Sequence, residues 1–159
     1  MTLALVRRIR EHTKRLDDLS GMGPAGRLPA PGSPIGDFTA GTVHHEPVSR
    51  AMLDAGAVVG FFSPGCEPCR AALPGFLAHA GALRGGRDRV LAVVAGAEES
   101  DPMVLALAEV TRVVVEDHEG PVASAFGVRA FPTFCLVGPE ASIAAARFDL
   151  SALTAPITV

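Results

Sequence analysis

Two unbroken apolar runs constrain this chain more than any other feature. Ala57-Val58-Val59-Gly60-Phe61-Phe62 lies between Gly56 and Pro64, and Val90-Leu91-Ala92-Val93-Val94 follows Arg89. Runs of this length read as strands, and because they do not alternate they must be covered on both faces. A sheet with helices on both faces offers that environment, and strands alternating with helices imply one. The segments around them fit. Residues 67–83 have a helical pattern with Pro74 inside, where a kink is expected. Asp101-Pro102 opens a helix through Glu109, with Asp at the cap and Pro in the first turn. Thr111–Val115 reads as a third strand and Pro121–Phe126 as a short helix stopped by Gly127. Thr133–Val137 and Ser142–Phe148 form a hairpin around Gly138-Pro139, and Ser151–Thr154 begins a last helical turn ended by Pro156. The order β-α-β-α-β-α-β-β-α predicts an α/β fold with a central mixed sheet flanked by helices.

Upstream the pattern changes. Val6, Ile9, Thr13, Leu16 and Leu19 mark one face of a basic amphipathic helix over 1–19. Residues 20–34 hold four Gly and four Pro without an apolar period and read as a linker, so the domain spans 35–159. Asp37–Val43 reads as extended, His44-His45-Glu46-Pro47 as a polar turn, and Ser49 as the cap of a short helix through Leu53. The chain has 159 residues, is 48% hydrophobic and 19% charged, and carries a net charge of −3. That composition excludes a disordered chain and argues against a nucleic-acid partner. Residues 1–20 carry +2, leaving −5 on the rest. The apolar stub Leu3–Val6 followed by Arg7-Arg8-Ile9-Arg10 fits either the edge of a membrane anchor or an exposed helix. The stub is too short for a signal peptide, and no apolar stretch reaches the roughly 18 residues a spanning helix needs.

The chemistry centres on Cys66-Glu67-Pro68-Cys69, between a buried strand and a helix. Unpaired N–H groups and a partial positive charge at a helix N-terminus stabilise a thiolate on Cys66, the nucleophile of disulfide exchange. Two intervening residues leave the second sulfur close enough to close a disulfide. Pro68 suits a first helical turn. Such a pair also serves zinc, but a closed zinc site takes four N/S ligands. Only Cys135 remains among the cysteines, inside an apolar strand pattern, and the neighbouring His44 and His45 lack ligand spacing. No metal site is expected. The second element is Ala130-Phe131-Pro132-Thr133-Phe134, where Pro132 opens a strand.

Together these pieces resemble the thioredoxin superfamily, and more narrowly the TlpA/ResA/MauD type of thiol–disulfide oxidoreductase, over about residues 34–148. The resemblance rests on Phe61–Arg70, on Leu73-Pro74, on Phe126–Phe134 and on Ser33-Pro34-Ile35-Gly36-Asp37-Phe38. Glu67-Pro68 is similar to the dipeptide of reductases in cytochrome c maturation. The resemblance implies a thioredoxin-like fold and an enzyme, a protein-disulfide reductase whose only redox group is the Cys66–Cys69 disulfide. Cys66 would attack and Cys69 resolve. Glu67, Pro68 and a cis Pro132 would support the site, and Gly65, Ala130 and Phe131 would meet the substrate. The partners implied are a disulfide-containing protein and a thiol electron donor. The N-terminal stub resembles the end of the MauD anchor, which implies a membrane-associated monomer with its domain outside the cytoplasm; a cytoplasmic placement is the alternative. The chain also departs from the family: Gly65 replaces a Trp, Gly60 the buried Asp of thioredoxins, and Ala72 a Glu of some maturation reductases. Glu67 is then the nearest proton-handling candidate, set against a solvated turn carboxylate.

Cys135 reads as an inert buried thiol. His44 and His45 read as surface turn residues, His79 as exposed on its helix, and His118 as part of a solvated loop. Phe61 and Phe62 read as core. Two other functions compete. A peroxiredoxin-like thiol peroxidase wants Pro seven and Thr or Ser three residues before its cysteine; Ser63 fits, whereas Val59 does not. A metallochaperone or interaction module of a membrane-associated maturation system would use a different cysteine spacing and a distant His.

Overall fold

The computed structural model describes residues 28–83 and 86–154. The expected helix over 1–19 and the first part of the linker lie outside the described residues. The last linker residues run beside the sheet: Gly32 N–H donates to the Ile143 carbonyl at 2.7 Å, and Pro34 bridges to Ser142.

Among the described residues seven strands and four α-helices follow. The strands are β1 Thr39–Gly41, β2 Pro47–Ser49, β3 Val58–Phe62, β4 Val90–Ala95, β5 Arg112–Glu116, β6 Thr133–Gly138 and β7 Ser142–Arg147. The helices are α1 Glu67–Ala82, α2 Pro102–Ala108, α3 Pro121–Phe126 and α4 Leu150–Thr154. The main sheet has the order β5-β4-β3-β6-β7, with β3, β4 and β5 parallel and β6 and β7 antiparallel to their neighbours. This is the mixed sheet that the apolar runs and the terminal hairpin predict.

Each apolar run feeds two cores because strand side chains alternate. Val58 and Phe62 join Val90, Ala92, Val94 and Phe134 under α1, α2 and α4. Val59 and Phe61 join Leu91, Val93 and Cys135 over α3 and the β1–β2 hairpin. Burying both sets stabilises the sheet from both sides, at roughly 25 cal/mol per Å² of apolar surface removed from water.

Two local readings need correction. Within the segment 37–43 expected as extended, only Thr39–Gly41 is a strand, and it forms a separate antiparallel hairpin with Pro47–Ser49, Thr39 opposite Ser49. Alternation over three residues is too short to be read from sequence. Ser49 is extended and makes no side-chain cap, and only a 3-10 turn, Arg50–Met52, follows it. By contrast Asp101 caps α2 as expected, accepting from Met103 N–H at 2.9 Å.

Candidate active site

The register of β3 against β6 assembles the site. Phe61 stands opposite Thr133, so β6 begins beside the end of β3, where the chain turns through Ser63–Gly65 into α1. That places Phe131 and Pro132 next to Cys66, 65 residues away in sequence. The Phe131–Pro132 peptide bond is cis.

Cys66 is the N-cap of α1, and its sulfur accepts from Cys69 N–H at 3.2 Å. The same sulfur lies 3.5 Å from the Phe131 carbonyl oxygen, a distance at which the reduced thiol can donate to it. Cys66 and Cys69 are joined by a disulfide with a Cα–Cα separation of 5.2 Å. Cys66 is half-buried and Cys69 fully buried, so only the first sulfur is open to attack from outside. Gly65, Glu67 and Pro68 are exposed, Ala130 and Phe131 half-buried, and Pro132 buried. The Ala130 carbonyl accepts from Thr133 Oγ1 at 2.7 Å, which ties the loop to the start of β6. The Glu67 carboxylate stands 3.8 Å from Arg70 in an exposed pair of little energetic weight.

Behind Cys69 the protein is packed with aromatic rings. The rings of Phe62, Phe76 and Phe134 contact one another with centroids 5.0 to 5.7 Å apart. A Cβ at Gly60 would come within 2.8 Å of the Phe76 ring and 2.9 Å of Phe62. The departure at Gly60 is therefore not an empty place: Phe76 occupies the space a side chain there would take.

A groove of about 730 Å³ opens beside the disulfide. One wall is α1, where Pro68, Ala72, Gly75 and His79 recur at helical spacing; Phe131 and Phe148 line it across from them. His79 is thus half-buried rather than exposed, with Nε2 enclosed and unpartnered among the described residues, because its face of α1 turns toward the start of α4. Asp149 lines the same groove. Hydrogen bonds from the Ser151 hydroxyl and N–H hold its carboxyl below the usual range.

Cys135 belongs to the other face of the sheet, in the core with Val59 and Phe61, whereas Cys69 lies in the core under α1. Burial pushes its thiol up to about 12. It is separated from the disulfide by the sheet itself. His44 and His45 are exposed, and Phe61 and Phe62 are fully buried, as expected. The sequence reading missed His118. Its ring is exposed but packs edge-on against Phe131, centroids 6.0 Å apart. Nothing local signals this, since the two residues meet only through the sheet order.

A sequence model of the AhpC/TSA family matches residues 31–146, which include the disulfide and the Phe131–Pro132 loop. The chain belongs to the AhpC/TSA family. This family member also has the fold of solved thiol–disulfide proteins. A thiol:disulfide interchange protein from Bacteroides sp. superposes with a TM-score of 0.59 at 24% identity, over 80% of this chain and 88% of the other. The thioredoxin domain of a Bacteroides vulgatus thiol-disulfide oxidoreductase gives 0.57 at 24% identity, over 74% and 87%. A Thermus thermophilus thio-disulfide isomerase gives 0.55 at 24% identity, over 74% and 84%. At this identity the likeness establishes the fold, which is thioredoxin-like. No curated protein matches the chain significantly in sequence.

Proposed function

We propose that the protein is a protein-disulfide oxidoreductase that works through Cys66 and Cys69 and runs as a reductase on a partner protein. The observation that carries this is the asymmetry of the disulfide: one half-buried sulfur at a helix N-terminus beside the Phe131 carbonyl, one fully buried sulfur behind it. In the reduced protein the helix end favours the Cys66 thiolate. That thiolate attacks one sulfur of the partner disulfide, the S–S bond breaks, and the partner's other sulfur leaves as a thiolate that takes up a proton. Cys69 loses its proton and attacks Cys66 Sγ. The mixed disulfide breaks, the partner leaves as a dithiol, and Cys66–Cys69 is oxidised. A thiol donor then returns two electrons. Pro132 packs against the site and Phe131 presents backbone to an extended partner segment lying in the groove. The roles of Glu67, Pro68, Gly65 and Ala130 are those of a site rim that the partner covers.

The TlpA/MauD likeness and the basic segment at residues 1–19 support a membrane-associated monomer with an extracytoplasmic domain. No helix among the described residues is long and apolar enough to cross a membrane. Fractionation of cells, with protease accessibility from the outside, tests that placement.

The decisive experiment pairs trapping with a redox titration. Cys66→Ala abolishes exchange, and Cys69→Ala accumulates a mixed disulfide between Cys66 and the partner. If Cys66→Ala retained full reductase activity, the assignment of the nucleophile would fall. A potential near or below about −220 mV supports a reductase, whereas one near about −120 mV makes the protein an oxidant. Rapid consumption of micromolar peroxide by the reduced protein would instead favour a peroxidase. The structure gives that reading little support, because Val59, where the peroxidase motif wants Pro, is a fully buried residue of β3.

A further inference from the structure

The loop between β5 and α3 is tightly built. The Glu116 carboxylate accepts from Val122 N–H and Ala123 N–H, each at 2.9 Å, and so caps the first turn of α3. Gly120 N–H donates to the Asp117 carbonyl at 2.9 Å, and Ser124 Oγ donates to the Glu119 carbonyl at 3.0 Å. A Cβ at Gly120 would collide with the Glu116 carboxylate at 2.5 Å, so the loop closes only around a glycine. Glu119 takes a positive φ of 64° within it. His118 projects from this frame. Its side chain makes no hydrogen bond among the described residues; its ring is placed by two contacts instead. One is the edge-to-face contact with Phe131. The other is Gly96, at the end of β4, where a Cβ would lie 2.6 Å from His118 Nε2. Gly96 also has a φ of +73° and donates to the Glu116 carbonyl at 2.8 Å, which locks the end of β4 to the base of the same loop. The imidazole therefore rests on a bare Cα and leans on the ring whose own carbonyl meets Cys66 Sγ.

We propose that His118 is a positioning residue for protein substrates: by bracing Phe131 it holds the Phe131 backbone in the place where the partner chain must pair as its disulfide reaches Cys66. The proposal rests on the thiol–disulfide exchange reading. It predicts a selective effect. A partner polypeptide needs the braced loop, while a small disulfide that reaches Cys66 alone does not. Phe131 also lines the groove, whereas His118 does not touch the disulfide-bearing helix in any contact described, so loss of the brace acts on the loop and not on that helix.

The experiment uses the full chain, reduced and desalted, with insulin as the protein disulfide and bis(2-hydroxyethyl) disulfide as the small one. Formation of Cys66–Cys69 in this single turnover is followed by acid quench and thiol trapping over a range of substrate concentrations, KM standing for the concentration at half the limiting rate and kcat for that limiting rate. His118→Ala should raise KM for insulin by about two- to tenfold, the range expected for loss of one aromatic contact, with little change in kcat. The rate with bis(2-hydroxyethyl) disulfide should not change. His118→Phe, which keeps an edge-to-face partner, should restore the insulin KM. Gly96→Ala, whose Cβ displaces the imidazole, should act in the same direction as His118→Ala. Equal losses on both substrates, an unchanged insulin KM, or failure of His118→Phe to restore it would each overturn the proposal. If the wild-type protein reacted with neither substrate, the exchange reading would fall, a result distinct from these three.

Discussion

The thiol of Cys135 makes a prediction that can be worked from the structure. It is fully buried, has no role in the proposed exchange, and titrates near 12 rather than near its ordinary 9.0 because burial disfavours the thiolate. In the unfolded chain the same thiol regains its ordinary value. Above pH 9 the unfolded state therefore sheds a proton that the folded state keeps. The unfolded state then binds fewer protons, so stability falls as pH rises, and the loss is complete only above pH 12. At about 1.4 kcal/mol per unit, moving from pH 8 to pH 10.5 costs about 2 kcal/mol. Composition makes this measurable. The chain has no Tyr and a single Lys, so almost nothing else titrates in that window. It also has no Trp, so unfolding in urea is best followed by far-ultraviolet circular dichroism. Cys66 and Cys69 are both replaced by Ala, to keep exchange out of the unfolded state. The slope of stability against pH is then compared with and without Cys135→Val, a side chain suited to a strand. The expected result is a fall of about 2 kcal/mol that vanishes in the valine variant. Equal slopes in the two proteins would refute the burial argument, and rapid alkylation of Cys135 in the native state would refute its inertness.

Two further outcomes follow from packing. Gly60→Ala should destabilise the fold by about 1–3 kcal/mol in urea unfolding, since its Cβ must displace the Phe76 ring. Gly60→Asp should be worse, because its carboxylate enters an apolar core with no partner. Glu116→Ala should cost about 0.5–2 kcal/mol through the lost cap on α3, with Glu116→Gln recovering part of it.

The elements that sequence reading found are those whose cause is local. Asp101-Pro102 caps its helix through contacts within two residues. The runs at 57–62 and 89–94 became adjacent parallel strands because nothing else buries both faces of so short a segment. The cysteine pair sits at the strand–helix junction where its flanking residues put it. The β1–β2 hairpin was missed because three-residue strands leave no period to detect. His79 was misplaced, and the contact of the exposed His118 ring with Phe131 was missed, for a different reason. Whether a helix face or a loop is covered depends on which distant element packs there, and here those were the start of α4 and the Phe131 loop.

By itself the sequence determined the order of strands and helices from β3 onward, the helix start that holds Cys66, and the possibility of a disulfide between Cys66 and Cys69, since each follows from interactions spanning a few residues. Only the tertiary structure decided which sulfur is open, that Phe76 fills the space beside Gly60, that Cys135 is walled off across the sheet, and that His118 reaches Phe131. Those facts arise from strand order and register, which bring together residues far apart in the chain to bury the two faces of one sheet.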